Sequence, residues 1–311
     1  MSAEVKILPM YQIIIDSFSK TFSNWKMFLK FLLLPYLGSV LGVLIAIIPP
    51  IFALSLSIGI KSSSLSAGAV IITLLSIVIG SVIFLWSFWI YIVRVAACFN
   101  IARSLINTGE SGSLEEAVQN ITERWGNLLK FWLWSLLIGI VIFVIILTVT
   151  LLLFGVEVAQ NSFKYYMREW VYQILNFLLG LPFILSFAAF VFNPDLKPFD
   201  AIVKGVRMVM KNFLPTLGFW LLSYASALAV IFTAYVVFII AMLLLSAPLF
   251  IVLAVKANIV LIIAAGIIAA LGNFVVFFAL LAFILMTAVL YTFFLTHWYM
   301  RLEAKNTEQL Q

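Results

Sequence analysis

Few residues in this chain have side chains that do chemistry, and their spacing is poor for it. The 311 residues include twelve acids and one histidine. The acids are Glu4, Asp16, Glu110, Glu115, Glu116, Glu123, Glu157, Glu169, Asp195, Asp200, Glu303 and Glu308. None falls inside an apolar run, where proton- and sodium-coupled carriers usually keep a carboxylate. That weighs against ion-coupled transport without removing it, because backbone carbonyls and hydroxyls also line ion paths. A metal site or catalytic dyad built on His297 needs acids or thiols beside it. The surrounding THWYMR reads instead as packing at the end of an apolar segment. Cys98 is the one cysteine, so neither an intrachain disulfide nor a cysteine metal cluster is available. No Gly-rich phosphate loop, G-x-S-x-G elbow or H-E-x-x-H motif occurs. The expectation is a protein that is not an enzyme, with no catalytic, metal-ligating or cofactor-binding residue.

What remains is polarity in apolar surroundings. Gln173, Asn176, Ser223, Ser226 and Asn273, with Tyr224, lie in or near apolar runs. Hydrogen bonds between helices are their common use, and a substrate path is the sharper alternative. Arg94, with Asn100 nearby, sits at the end of another run and is a candidate for lipid headgroups. Snorkelling to the surface accounts for it equally well. Lys20, Lys26, Arg124, Lys204, Arg207 and Lys211 are further headgroup candidates.

The elements that hold these residues follow from composition. The chain is 65% hydrophobic and 10% charged, where a soluble domain carries about 25% charge. No soluble fold of this size has enough interior to hide so much apolar surface, and a bilayer does. The formal charge of +6 is then read as Lys and Arg retained on one side of a membrane, and no nucleic acid partner is expected. Charge-free stretches cover 31–60, 62–93, 131–156, 170–194, 212–255 and 257–300. Each exceeds the roughly 20 residues that cross a hydrocarbon core as a helix, and none alternates like a barrel strand. Six transmembrane helices are expected. The last two stretches are about twice the needed length. They tilt and project, or break near Pro248 and Gly272-Asn273, or hide an extra span at 249–271 that would place Lys256 in lipid.

Orientation follows from the bases. Lys6, Lys20, Lys26 and Lys30, then Arg94, Arg103, Arg124 and Lys130, then Lys197, Lys204, Arg207 and Lys211, and finally Arg301 and Lys305 fall on one side. Only Lys61, Lys164, Arg168 and Lys256 fall on the other. This places both termini in the cytoplasm and the protein in a cell (inner or plasma) membrane. No cleavable signal or lipidation site is expected from the first residues.

Three lead-in segments share a pattern. Tyr11, Ile14, Ile15, Phe18, Phe22 and Trp25 make one helical face. Leu114, Ala117, Val118, Ile121, Trp125 and Leu128 make a second, opened by a Ser113-x-x-Glu116 capping box. Phe199, Ile202, Val203, Val206, Met210 and Phe213 make a third, with Pro198 suited to the first turn. NWKMFLKF at 24–31 aligns with RWGNLLKF at 124–131, and KNFLPTLGFW at 211–220 is a looser copy. The fold class expected is all-α: a polytopic membrane bundle of three repeats, each an amphipathic interfacial helix followed by a transmembrane hairpin. The units run approximately 10–106, 113–195 and 198–302 in a single membrane domain, with 303–311 a polar tail.

On EEAVQNITERWGNLLKF, FDAIVKGVRMVMKNFLPTLGFW and the paired spans, the chain loosely resembles the membrane domain of glycerophosphoryl diester phosphodiesterases and related stand-alone prokaryotic inner-membrane proteins. The resemblance covers most of the chain. It implies a multi-pass membrane domain. Those enzymes carry a catalytic barrel with His and Glu residues. After residue 300 this chain has only RLEAKNTEQLQ, so no catalytic residue carries over. The function expected is a non-enzymatic scaffold, partner subunit or membrane-organising factor; the alternative is a transporter or channel for a lipid or small apolar solute. Expected partners are membrane lipids, and another membrane protein or a second copy of the chain.

Overall fold

The structure, a computed structural model, describes residues 9–59, 63–155, 162–255 and 258–308. Lys6, Lys61 and Lys256, used above to orient the chain, lie outside the described residues, as do Glu4 and Glu157. Among the described residues the chain is helical with no strand. The helices are α1 (Met10–Ser23), α2 (Trp25–Gly59), α3 (Ser63–Asn107), α4 (Leu114–Thr122), α5 (Trp125–Phe154) and α6 (Phe163–Gly180). A 3-10 turn (Leu181–Phe183) follows, then α7 (Ser186–Phe192), α8 (Pro198–Lys211), α9 (Phe213–Ala254) and α10 (Ile259–Glu308).

Six segments are long and apolar enough to cross a membrane: Trp25–Ala53, Ala67–Asn107, Trp125–Phe154, Phe163–Phe192, Phe213–Ala254 and Ile259–Thr307. Their outer surfaces are apolar. In the most apolar window of α9, 0% of the residues are buried. A helix that is apolar all round and buries so little of its surface in protein needs lipid as its solvent. The protein is a polytopic membrane helix bundle.

Several expectations shift in detail. The basic segment that follows the second span is not a loop at Arg94 and Arg103, because α3 continues to Asn107. Nothing breaks it before Gly109, whose φ of 77° ends the helix. The fourth span is interrupted: Pro182 sits in the 3-10 turn between α6 and α7, where its missing N–H cannot continue the ladder. The fifth and sixth spans, by contrast, run unbroken through Pro248 and through Gly272-Asn273. They are single helices, so 249–271 is not an extra span. At 1.5 Å per residue the 42 residues of α9 reach about 63 Å, well beyond a hydrocarbon core of about 30 Å. Helix α10 also extends to Glu308, through most of the segment read as a polar tail.

The lead-in helices end where the aligned sequences join. Helix α1 stops before Asn24, α4 before Glu123-Arg124, and α8 before Asn212. In each case the joint residue's carbonyl accepts the first bonds of the next helix: Asn24 from Phe28, Arg124 from Leu128, Asn212 from Thr216. The Ser113 hydroxyl accepts from the Glu116 N–H at 3.3 Å, and Pro198 occupies the first turn of α8.

The chain divides into two compact units. One comprises Met1–Lys20, Phe99–Ala227 and Leu290–Gln311; the other comprises Thr21–Cys98 and Leu228–Val289. In the first, α7 packs on α8 so closely that a Cβ on Gly205 would lie 2.5 Å from the Ser186 Cα. Phe219 stacks on Trp298 with ring centroids 4.4 Å apart. In the second, α2 and α3 meet along a glycine seam. Gly38, Gly42 and Ala46 recur every four residues on α2, and a Cβ on Gly42 would come within 2.5 Å of the Phe84 nitrogen. A Cβ on Gly80 would come within 2.5 Å of the Ala46 nitrogen. Small residues at this spacing let backbones approach, which is how helices associate where no hydrophobic drive separates lipid from protein.

The seam makes a prediction. Gly80→Val forces the two backbones apart and should destabilise the detergent-solubilised protein by about 2–3 kcal/mol, read as a lower melting temperature by intrinsic fluorescence. Gly218→Ala, where a Cβ meets nothing within 4 Å, should be neutral or slightly stabilising.

Candidate functional site

Side-chain polarity in the first unit gathers at the C-terminal end of α10. Lys204, on α8, donates to the Asn193 carboxamide oxygen at 2.6 Å and to Glu303 at 2.9 Å. Tyr299 donates to Glu303 at 3.2 Å and accepts from the Asn193 amide at 2.8 Å. The four side chains close a ring between α7, α8 and α10. Burial works against the Lys204 ammonium, but the hydrogen bonds to Glu303 and Tyr299 outweigh it and hold its pKa above the ordinary lysine value. Beside the ring, Lys305 donates to the Asn212 side chain at 3.3 Å, and Trp298 donates to the Thr216 hydroxyl at 3.2 Å.

On another side of α10, His297 meets Asp16 of α1 at 2.8 Å. Lys20 lies 3.4 Å from the same carboxylate and donates to the Leu105 carbonyl at 2.8 Å. Burial would raise the Asp16 pKa; the His297 hydrogen bond and the Lys20 charge overcome it and hold it below the usual value. His297 is buried inside α10, which continues past it to Glu308, and it has an acid partner 281 residues away. No local pattern could have shown that pairing. Among the described residues no group of three or more His, Cys, Asp or Glu side chains is placed to hold a metal.

Two cavities adjoin these elements. One, of about 590 Å³, lies between α8 and the end of α10 and is lined by Asp200, Lys204, Arg207, Lys211, Glu303 and Asn306, among others. The other, of about 380 Å³, lies at the broken fourth span, between α5 and the α6–α7 segment. Phe131, Trp132, Phe183 and Phe187 wall it, and Asn176 opens onto it.

The remaining sequence-selected residues fall into distinct roles. Arg94 donates to the Phe31 carbonyl and lies over the Phe31 ring, 5.2 Å from its centroid. Arg124 donates to the Phe190 carbonyl at 3.2 Å and lies 4.9 Å over the Phe190 ring. The Phe31 carbonyl is stranded inside α2 because Pro35, four residues further on, has no N–H to offer; the Phe190 carbonyl lies in the last turn of α7, which ends at Phe192, and has no helical donor ahead of it. Burial lowers the Arg124 pKa, and the Asp195 charge pushes back. Lys26 is exposed above the Trp25 ring. Arg207 and Lys211 are exposed on the larger cavity. Ser223 and Ser226 bond the carbonyls one turn back in α9, which is local helix bonding rather than a path. Asn273 donates to Ser246 at 3.1 Å, tying α10 to α9. Gln173 is exposed on α6. The structure therefore brings Lys204, Arg207 and Lys211 to one cavity and Asn176 to another, and scatters the rest.

Compared with known proteins, the chain matches no family model, no curated protein and no solved structure.

Two outcomes test the network. Lys204→Met leaves the Asn193 carboxamide oxygen without its donor and Glu303 with Tyr299 alone. Because the pair is about one-third exposed, the expected loss is about 1–2 kcal/mol, read by thermal denaturation in detergent. A depressed Asp16 pKa gives stability that is present above the unfolded carboxylate pKa and lost as pH falls through the folded one. The melting temperature should therefore fall as the pH is taken below about 4, and Asp16→Asn should lower it at neutral pH while flattening that fall.

Proposed function

We propose that this chain is a non-enzymatic multi-pass protein of a cell membrane, with cytoplasmic termini, that works as a membrane-organising scaffold or partner subunit by holding anionic lipid at its lead-in helices. The observation that carries the reading is the way those helices are buried. Helix α8 packs Pro198, Ala201, Ile202, Gly205, Met208 and Val209 into the protein, while Val203 and Met210 stay exposed, as does much of Phe199 beyond its contact with the Trp134 ring. Helix α1 buries Ile13 and Ser17 and leaves Tyr11 and Ile15 about 60% exposed. In water such faces are liabilities; at an interface they enter the acyl boundary while neighbouring bases meet headgroups. Arg207 and Lys211 flank the bare face of α8, and the cavity they line has room for a phosphate-bearing head. Lys204 is committed to Asn193 and Glu303, so its part is to fix α8 in place.

The three lead-in helices and their joints at Asn24, Arg124 and Asn212 support the reading of three repeated units. The likeness to phosphodiesterase membrane domains fits the same layout and brings no activity with it. A second reading, transfer of a lipid or small apolar solute, draws support from one feature: the fourth span is broken beside a cavity, the arrangement in which transporters expose backbone to a substrate.

The test is lipid retention. Purified from a bilayer containing phosphatidylglycerol and phosphatidylethanolamine, the wild-type protein should keep phosphatidylglycerol in native mass spectra. Arg207→Glu with Lys211→Glu, which leaves the Lys204 ring intact, should lose it by about tenfold or more. Equal retention by the double variant would overturn the headgroup assignment. A reporter fused at residue 164 should read the side opposite to one fused within the α3–α4 loop, which at Gly109–Gly112 should read cytoplasmic.

A further inference from the structure

The cavity at the broken fourth span plays no part in the headgroup reading and points to a ligand of a different kind. Its volume of about 380 Å³ falls within the range of small-molecule sites, about 300–1,000 Å³. Aromatic rings of Trp132, Phe183 and Phe187 form much of the wall, and no charged side chain lines it. Three polar side chains do: Ser135, Asn176 and Ser186. Ser186 is spoken for, since its hydroxyl donates to the Ile202 carbonyl at 3.4 Å. Asn176 is exposed on α6 and has no hydrogen-bond partner among the described residues. A carboxamide brings two donors and an acceptor. In a segment that crosses hydrocarbon, leaving them unmet is costly.

The lining sets limits on what would meet them. A charged head would find no counter-ion here and would have to shed its water for nothing in return. A purely hydrocarbon ligand would leave Asn176 as it is. We propose that this cavity binds an uncharged amphiphile, with its apolar chain against Trp132, Phe183 and Phe187 and a hydroxyl, ester or amide head on Asn176 and Ser135. The class is that of a monoacylglycerol, a fatty alcohol or a fatty amide. Gly139 on α5 and Gly180 at the end of α6 line the cavity, and a Cβ on either meets nothing within 4 Å.

Those glycines supply the test. The full-length protein is placed in phosphatidylcholine nanodiscs with a photoactivatable monoacylglycerol, and labelled peptides from α5 and α6 are quantified by mass spectrometry. A photoactivatable fatty acid, ionised at pH 9, and a photoactivatable phosphatidylcholine serve as parallel probes. The wild-type protein should label with the monoacylglycerol at least about tenfold more than with either, the cost of leaving a polar partner unmade. Gly139→Leu fills the cavity from a position with free space and suits a helix better than glycine; it should abolish the labelling with the melting temperature unchanged or raised. Asn176→Leu should reduce labelling by about tenfold, and Asn176→Gln should restore part of it. Equal labelling by all three probes, insensitive to Gly139→Leu, would show bilayer chains filling an unspecific groove and overturn the proposal. Preferential labelling by the ionised fatty acid would overturn the choice of an uncharged head. Arg207→Glu with Lys211→Glu should leave the labelling intact, which separates this site from the headgroup site.

Discussion

Everything in this structure answers to one constraint: in hydrocarbon, each backbone N–H and C=O must find its partner within the chain. Six long helices meet it for most of the sequence. Further demands arise where the ladder is cut, and at two such places a basic side chain supplies the missing donor. Arg94 covers the Phe31 carbonyl released by Pro35, and Arg124 covers the Phe190 carbonyl left over in the last turn of α7. Ser39 bonds the Pro35 carbonyl at 2.9 Å in the same stretch of α2. Both arginines also lie over the phenylalanine ring of the residue they cap, so the guanidinium face is sheltered while its edge donates. What reads in the sequence as surplus positive charge is thus partly backbone repair.

The first unit uses its polar groups differently. The Asn193–Lys204–Tyr299–Glu303 ring and the Asp16–His297 pair attach α8 and α1 to the end of α10 through directional bonds. Apolar packing alone would hold such helices loosely in a membrane, because lipid tails compete for the same surfaces on nearly equal terms. Fixed by polar bonds on one side, α1 and α8 can leave their apolar edges bare on the other. Attachment by hydrogen bonds and presentation of apolar surface are therefore two sides of one arrangement.

Much of the architecture was legible because it depends on long-range averages. A charge-free run of apolar residues means a span whatever its neighbours do, and the six were placed correctly. Local chemistry with a fixed offset was also legible: Ser113 with Glu116, and Pro198 in a first turn. Features that depend on what a residue meets were not. Helix α1 turns Ser17 inward and Ile15 outward, opposite to the order that hydrophobicity suggests when water is taken as the solvent. Asp16 and His297 carry no mutual signal. The glycine seam was half visible, since Gly38 and Gly42 stand four apart, but its partner Gly80 cannot be paired with them by spacing. Pro182 breaks its span and Pro248 does not, and the sequence around them does not distinguish the two cases.

The proline–arginine arrangement makes one position depend on a distant second. A chain that lost Arg94 first would leave the Phe31 carbonyl without a donor, whereas a chain that lost Pro35 first would regain a backbone N–H for it and still let the guanidinium share the second lone pair. The order of change therefore matters: with the proline replaced first every intermediate is workable, and with the arginine replaced first it is not. Pro35 carried into a related chain that lacks Arg94 should fail, whereas Arg94 should be accepted with or without Pro35.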